Sequence, residues 1–336
     1  MKTNTEANRV LFSRRPNIFS LIGFLLACLL IAPAGAAAAT YYVATTGSDS
    51  NSGSSSSPFK TIQKAAGLVN AGDTVIVKDG VYTKPSGNSV GVVELSRGGS
   101  TNSYVTFKSE NPWGAVLDGQ SFTTHDGFTF YSGVNWVWIE GFEIRNTLNN
   151  GCNASSSNNY IYYYRNHIHN IGNVVTSDDQ GKAGLYTNGS YHTADSNVIH
   201  DIGRLSGSQY AYTNDHGVYY GGSGHTISNN KFYNCLAGWC IQIAGCSNLQ
   251  ILNNTFAFQN TGATGHIVLW GSGSSSMSNI KIDGNVSLYP TGSFVYIYYA
   301  SLSNTVISNN STTASAVTSG TSSSGFTVSN NKVSIN

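Results

Sequence analysis

The sequence has 336 residues, of which 40% are hydrophobic, 12% aromatic and only 10% charged, and its formal net charge is +1. So small a charge gives no general attraction to nucleic acid or to an anionic membrane surface, and neither is expected as a partner. A low charged fraction can accompany disorder, but regular runs of β-branched and aromatic residues indicate a folded all-β protein instead.

Residues 1–39 have the pattern of a secretory signal peptide. Arg14 and Arg15 give a positive start, an apolar run covers 18–31, and the alanines at 36–39 offer a small-residue cleavage site. The apolar run is short and interrupted by glycine, which disfavours a lasting transmembrane helix. We therefore expect a protein that is secreted or periplasmic and has no stable membrane span.

Residues 40–336 would remain after that cleavage as a single domain, which we expect to be monomeric. They carry 13 basic and 15 acidic residues, a formal charge of −2, so any anionic substrate must be held by local cations. Anchoring as a lipoprotein at Cys28 is an alternative, but the apolar run continues past this cysteine and favours ordinary cleavage.

Residues 40–82 differ from the rest and predict an N-terminal cap with the first strands. The stretch 58–66 reads as a short amphipathic helix, and 72–82 reads as a strand pair. A helix is the expected cover at the end of a solenoid, because an open end exposes both the core and the strand edges.

Residues 83–336 contain an internal repeat of short apolar segments that end in asparagine. Its spacing of 21 to 33 residues suits one coil of a parallel β-helix, in which stacked coils bury a continuous apolar row. Asparagine suits the bends because it tolerates left-handed backbone and can bond along the stack. We predict an all-β, right-handed parallel β-helix of eight or more coils, marked by Asn166, Asn197, Asn230, Asn254, Asn285, Asn310 and Asn331.

Four motifs make the segment from Tyr41 to Tyr82 resemble the start of secreted right-handed β-helix proteins, including family 9 pectate lyases and related polysaccharide lyases. They are Tyr-Tyr-Val, Gly-Ser-Asp-Ser-Asn, Pro-Phe-Lys-Thr-Ile-Gln-Lys-Ala and Gly-Asp-Thr-Val. The resemblance covers most of residues 41–336 and implies this fold with a polysaccharide substrate. It does not fix the reaction, because the segment occurs on proteins of unrelated activity.

One set of strands can be aligned by glycines at 189, 222, 245 and 271, which close consecutive coils. Alternation along these strands sends one side chain of each pair outward, and stacking then brings residues of successive coils within about 4.8 Å. The outward row carries aromatic and amide groups suited to sugar rings. The expected substrate-binding residues are Tyr186, Asn188, Trp239, Gln242, His266 and Trp270.

The same face carries the candidate catalytic residues. Lys182 is its only lysine and could act as a base or neutralise a uronate carboxylate. Asp215 or His216 could be the acid/base partner, with Tyr219 as the proton donor. In an alternative interpretation, His216 begins its strand in the inward phase and only caps a corner.

The resemblance also raises the question of calcium, since family 9 lyases pair a lysine base with an aspartate-bound calcium ion. Asp178 and Asp179 precede Lys182 and could supply oxygen ligands, although adjacent acids also occur in solvated loops. The family's full acidic cluster is not found, and the lysine follows these acids too closely. No other cofactor is indicated.

The remaining cysteines and histidines favour structural roles. A disulfide is plausible among Cys235, Cys240 and Cys246, with the pairing left open. His169 and His200 follow marker asparagines in neighbouring coils and are expected to stack. His192 and His225 begin equivalent strands, which also favours a structural role for them.

Three classes of function fit these observations. The first is a lyase that cleaves a uronate-containing polysaccharide by β-elimination. A glycoside hydrolase is the second, and a uronate epimerase is close to the lyase because both begin by removing the C5 proton. The third is a non-catalytic carbohydrate-binding surface protein.

Overall fold

Short strands separated by tight bends wind into coils, and successive coils extend three sheets. The computed structural model describes residues 37–174, 181–204, 214–235, 237–259, 265–271, 276–321 and 324–333. The strands of these residues pair in parallel with strands of neighbouring coils, which confirms the predicted all-β parallel β-helix. The predicted signal peptide up to residue 36, as well as Asp178 and Asp179, lies outside the described residues.

Sheet A has 11 strands among the described residues. Strand β11 shows strict alternation, so that Tyr163 is fully buried while Tyr162 and Tyr164 remain half-buried on the outer face. The stretch around these tyrosines therefore forms the predicted strand with one wet face. The strands are β1 (Thr40–Val43), β2 (Thr74–Val77), β5 (Val105–Ser109), β8 (Val137–Glu140), β11 (Ile161–Tyr164), β14 (Thr193–Asp195), β17 (Thr226–Ser228), β20 (Leu249–Leu252), β23 (Ser276–Asp283), β26 (Ser301–Ser308) and β29 (Phe326–Ser329).

Sheet B has nine strands among the described residues and carries the candidate site. Its inner rows are apolar, with Leu185, Val218, Ile241 and Ile267 in one register, as the sequence alignment predicted. The strands are β4 (Gly91–Leu95), β7 (Asp126–Phe130), β10 (Asn150–Ala154), β13 (Ala183–Thr187), β16 (His216–Tyr220), β19 (Ile241–Ala244), β22 (Ile267–Trp270), β25 (Val295–Tyr298) and β28 (Thr318–Gly320).

Sheet C has ten strands among the described residues and follows the marker asparagines. Its inner row includes Ile144, Ile168, Ile199, Phe232 and Phe256, all of them buried. The strands are β3 (Gly80–Tyr82), β6 (Ala115–Asp118), β9 (Glu143–Arg145), β12 (His167–Ile171), β15 (Val198–Ile202), β18 (Lys231–Cys235), β21 (Thr255–Gln259), β24 (Val286–Leu288), β27 (Ser311–Thr312) and β30 (Lys332–Val333).

The predicted cap helix is present but shorter than expected. Helix α1 covers Ile62–Ala66, and its N-cap, Thr61, accepts a hydrogen bond from the Lys64 amide at 3.1 Å. Residues before it stay extended because the Asp49 carboxylate accepts the amides of Lys60 and Thr61. The two strands predicted in 72–82 both exist, but they enter sheets A and C and do not pair with each other.

The marker asparagines form a continuous ladder between sheets A and C. Asn197 shows the pattern: its amide and its Nδ2 both donate to Asn230 Oδ1 at 2.9 Å, and Nδ2 also donates to the Tyr163 carbonyl. The Asn197 side chain thus joins three coils at a buried bend, where polar groups must find partners. The expected asparagine stack is confirmed from Asn166 to Asn331.

The four described cysteines are free thiols in the structure and are all buried. The Sγ atoms of Cys235 and Cys240 lie 2.9 Å apart, whereas Cys246 Sγ donates to the Tyr220 carbonyl at 3.3 Å. If a disulfide forms among the predicted three, this geometry selects Cys235 and Cys240.

Candidate functional site

A groove of about 610 Å³ runs along the outer face of sheet B, across successive coils. It is the larger of the two cavities described for this part of the chain. Its lining combines aromatic rings, amides and one lysine: Asn149, Asn150, Asn153, Gly181, Lys182, Ala183, Tyr186, Asn214, His216, Tyr219, Trp239, Gln242, Val268, Trp270 and Tyr298.

The central row of the groove is the outward ladder expected from the sequence. Tyr186 lies beside Tyr219, Tyr219 beside Gln242, and Gln242 beside Val268. The Tyr186 and Tyr219 rings stack with centroids 5.1 Å apart, close to the spacing of adjacent strands. The register premise on which the site prediction depended is therefore confirmed for these residues.

A second row faces the groove because β13 and β16 each contain a bulge near their start, where two consecutive residues face inward. A Cβ at Gly184 would lie 3.0 Å from Ile199 Cγ2, and one at Gly217 would lie 3.0 Å from Phe232, so both glycines face the core. The next residues, Leu185 and Val218, are also inward and fully buried. Two consecutive inward positions reverse the alternation before them.

Hydrogen bonds show the same reversal in β7, two coils before β13. The carboxylate of Asp126 accepts from Thr129 Oγ1 at 3.1 Å and from Asn153 Nδ2 at 3.0 Å. Strict alternation would place residues 126 and 129 on opposite faces of the sheet. The residues before the stacked glycines, including His216, consequently point to the groove.

Lys182 lies in the groove wall, with its side chain almost fully enclosed. Its Nζ donates to Asn149 Oδ1 at 2.9 Å, and its backbone amide donates to Asp215 Oδ1 at 3.0 Å. These bonds hold the ammonium beside the amide-rich end of the groove. Lys182 is the one charged side chain among the described lining residues.

Asp215 adjoins Lys182 as predicted but lies behind the groove wall. Its carboxylate accepts Arg204 Nη2 at 2.8 Å, Arg204 Nε at 3.1 Å and the Arg204 amide at 2.7 Å. Both side chains are buried, and a buried carboxylate paired in this way is costly to separate from its partner. The geometry favours a structural role for Asp215 over the predicted acid/base role.

His216 contributes to the groove wall although only 3% of it is exposed. The interpretation that placed it in the inward phase is wrong, because the bulge at Gly217 turns it outward. Burial lowers the pKa of His216 to about 3, so the ring is neutral near pH 7. Its Nδ1 is enclosed without a hydrogen-bond partner, as is Trp239 Nε1 beside it. Buried polar atoms of this kind are candidates for ligand contact.

Tyr219 is half-buried between Tyr186 and His216. Its ring centroid lies 5.6 Å from that of His216. Burial, and then the neighbouring Tyr186, raise the pKa of the Tyr219 hydroxyl. The hydroxyl therefore remains protonated near neutral pH and is able to donate a proton.

Two predicted binding residues lie outside the groove lining. His266 is fully buried, bonds to Ser287 Oγ at 2.9 Å through Nδ1 and stacks on Phe256, so its predicted outward orientation is wrong. The reason is register: His266 occupies the inward bulge position that Gly217 fills two coils earlier. Asn188 is exposed and donates to the Tyr186 hydroxyl at 2.9 Å.

Sequence reasoning missed both ends of the groove. Asn149, Asn150 and Asn153 come from the preceding coil, and Tyr298 comes from a later one. Gly151 carries the signal that could have found the first group, since it opens a strand as Gly184 does and stacks on it. Asp178 and Asp179 lie outside the described residues, so their predicted calcium site stays a prediction.

Two of the histidines that were expected to be structural bind backbone amides, and the other two stack on each other. His192 Nδ1 accepts the Ile161 amide, and His225 Nδ1 accepts the His192 amide. His169 and His200 stack with an interplanar angle of 7°. None of these four contributes to the described lining of the groove.

Two family models together match residues 41–336. One, a Pel9A-like right-handed β-helix region, matches residues 41–204, and the other, a right-handed β-helix region, matches residues 183–336. No curated protein sequence matches the chain. No helix among the described residues is both long and apolar enough to span a bilayer.

Similar solved structures include two polysaccharide lyases and a protein solved with xylose. A rhamnogalacturonan lyase has a TM-score of 0.57 at 15% identity, covering 88% of this chain and 86% of its own. Pectate lyase Pel9A has a TM-score of 0.57 at 16% identity, covering 85% and 78%. XylC, solved with xylose, has a TM-score of 0.54 at 13% identity, covering 83% and 70%. At these identities the likeness establishes the fold alone, and together with the two family models it shows that the chain is a right-handed β-helix protein.

Proposed function

We propose that this chain is a secreted polysaccharide lyase that cleaves a uronate-containing polymer by β-elimination in the groove of sheet B. The observation that carries the proposal is the composition of the groove. A single cation, Lys182, lies among amides, aromatic rings, a neutral histidine and a protonated tyrosine, and the described lining contains no carboxylate. Such a surface suits an anionic sugar.

In the proposed reaction, the Lys182 ammonium binds the uronate carboxylate and stabilises the negative charge that develops when C5 loses its proton. Its low solvent exposure strengthens this interaction, because a charge pair is weaker where water screens it. Asn149 holds the ammonium at the groove wall and so fixes where the carboxylate binds.

His216 is the proposed base and Tyr219 the proposed acid. The neutral His216 ring removes the C5 proton, the C–H electrons form the C4–C5 double bond, and the C4–O bond breaks as Tyr219 protonates the leaving oxygen. A pKa of about 3 makes the free His216 ring a weak base. A substrate carboxylate entering beside it would raise that pKa, because a nearby negative charge favours the imidazolium.

Aromatic side chains provide the binding surface for the sugar rings. Trp239 and Trp270 are half-buried, Tyr298 is exposed, and all three line the groove on coils that follow Tyr219. Flat apolar faces of this kind pack against sugar C–H groups, while their edges leave hydroxyls free to bond. The row extends along the helix axis, as a polymer chain would.

A glycoside hydrolase is the weaker alternative because it needs two carboxyl groups flanking the bond that is cleaved. Asp126, which bonds to the lining residues Asn150 and Asn153 and to Thr129, is only 1% exposed and is absent from the described lining. An epimerase would share the first proton transfer but leave the chain length unchanged. A binding protein would show neither change.

The test is a substrate screen with pectate, alginate and glycosaminoglycans, each with and without calcium. The proposal requires products with an unsaturated, ultraviolet-absorbing end from at least one uronate polymer. Lys182→Met should abolish this signal, while the matched surface change Lys281→Met on sheet A should leave it intact. Products formed only by hydrolysis, or binding without turnover in every case, would reject the proposal.

A further inference from the structure

Sheet C carries a histidine and carboxylate cluster that is separate from the groove on sheet B. Glu143 is in β9, and His167 and His169 are in the adjacent strand β12. Residues two apart on a strand share one face, so both imidazoles point outward beside Glu143. One ligand atom from each of the three residues lies within 4.8 Å of the other two.

The hydrogen bonds of a neutral His169 ring leave no proton between its Nε2 atom and Glu143. His169 Nδ1 lies 2.9 Å from Asn170 Oδ1, and an amide oxygen can only accept, so the ring proton resides on Nδ1. In a neutral ring, the Nε2 lone pair then faces Glu143 Oε1 at 3.2 Å. Two acceptors at this distance repel each other unless a proton or a metal cation lies between them.

The neighbouring groups favour a metal ion. Around the three ligands lie the carboxylates of Asp118 and Asp201 and the guanidinium of Arg145. With Glu143 this makes three negative charges against one positive charge.

Hydrogen bonds from neighbouring side chains orient the ligands, as they do in known metal sites. His200 Nε2 lies 2.7 Å from His167 Nε2, and the other ring nitrogen of His200 is bound to Asp201 at 2.5 Å. Arg145 Nη1 donates to Glu143 Oε1 at 2.7 Å. Each ligand is therefore held by a partner outside the cluster.

We propose that Glu143, His167 and His169 bind a divalent transition-metal ion of the Zn²⁺ class. Two imidazoles and one carboxylate suit such ions, whereas Ca²⁺ and Mg²⁺ prefer oxygen ligands alone. Bonds of about 2.0–2.1 Å would draw the ligand atoms closer together than in this structure and leave a further position open. The ion would join β9 to β12 across two coils.

The experiment is a titration of tag-free, chelator-treated full-length protein with Zn²⁺ in competition with a chromogenic chelator. Wild-type protein should bind one equivalent, and Co²⁺ at the same site should give a visible ligand-field spectrum. His169→Gln and Glu143→Gln should each weaken Zn²⁺ binding by at least about 10-fold. His125→Ala, which removes an exposed histidine outside the cluster, is the matched control and should bind as the wild type does.

Circular dichroism of each variant shows whether its fold is retained, and Zn²⁺ should raise the melting temperature of the wild type and of His125→Ala only. Zn²⁺ binding that survives in both cluster variants would place the ion elsewhere, for instance at the buried thiols, and would overturn the proposal. No stoichiometric binding by the wild type would overturn it equally.

Discussion

Replacing one asparagine of the ladder, Asn230→Ala, should destabilise the protein far more than an ordinary surface change. Four hydrogen bonds use the Asn230 side chain: two are accepted from Asn197, one is donated to the Ala194 carbonyl, and one is donated to Asn254. At about 1 kcal/mol net for each bond, their loss costs about 4 kcal/mol of unfolding free energy. Because the residue is only 1% exposed, water cannot easily replace them.

Urea denaturation followed by circular dichroism measures this cost. The matched control is Asn188→Ala, because Asn188 is exposed and its side chain donates a single exposed hydrogen bond, to Tyr186. We expect the control to change the unfolding free energy by less than about 0.5 kcal/mol. If Asn230→Ala proves no more destabilising than this control, the ladder does not stabilise the coils and the reasoning is refuted.

Four further predictions concern the site and the fold. Tyr219→Phe should lower kcat by about 10²–10⁴-fold with little change in KM, as expected on loss of a general acid, and an unchanged kcat would exclude that role. Trp239→Ala should raise KM by about 10-fold, since ring stacking contributes on the order of 1 kcal/mol, and steady-state kinetics would show it. Burial lowers the pKa of His192 to about 3 from 6.5, so the unfolded chain takes up the proton first and stability, measured by urea denaturation, should fall as the pH drops below about 6.5. Peptide mapping of exported protein without reductant should link Cys235 only to Cys240, and a bridge to another cysteine would contradict the geometry.

Much of the fold could be predicted because each repeat in the sequence corresponds to one coil of the β-helix. Asparagines such as Asn197 recur at each bend, and apolar residues such as Leu185 and Val218 recur two positions apart, so stacking follows from the need to bury them. The outward row of Tyr186, Tyr219 and Gln242 followed from the same alternation. These features depend on local periodicity, which sequence shows well.

The errors arose where alternation breaks. Gly217 leaves space for an inward bulge, and no period-two pattern reveals that the face of His216 has thereby reversed. His266 fills the equivalent position with a side chain and is buried for the same reason. The ion pair of Asp215 with Arg204 was missed because it depends on the path of the chain between them, which the repeat does not specify.

The central claim is that the protein cleaves its polysaccharide by elimination and not by hydrolysis. The masses of the products test this claim most directly. A uronate polymer that the protein cleaves is digested in water enriched in the heavy oxygen isotope, and the oligosaccharides are weighed. Elimination predicts that each cleavage forms one unsaturated end, one water lighter than a saturated end, and takes up no heavy oxygen in the bond-breaking step. Saturated ends, with one heavy oxygen taken up for each bond broken, would contradict the account.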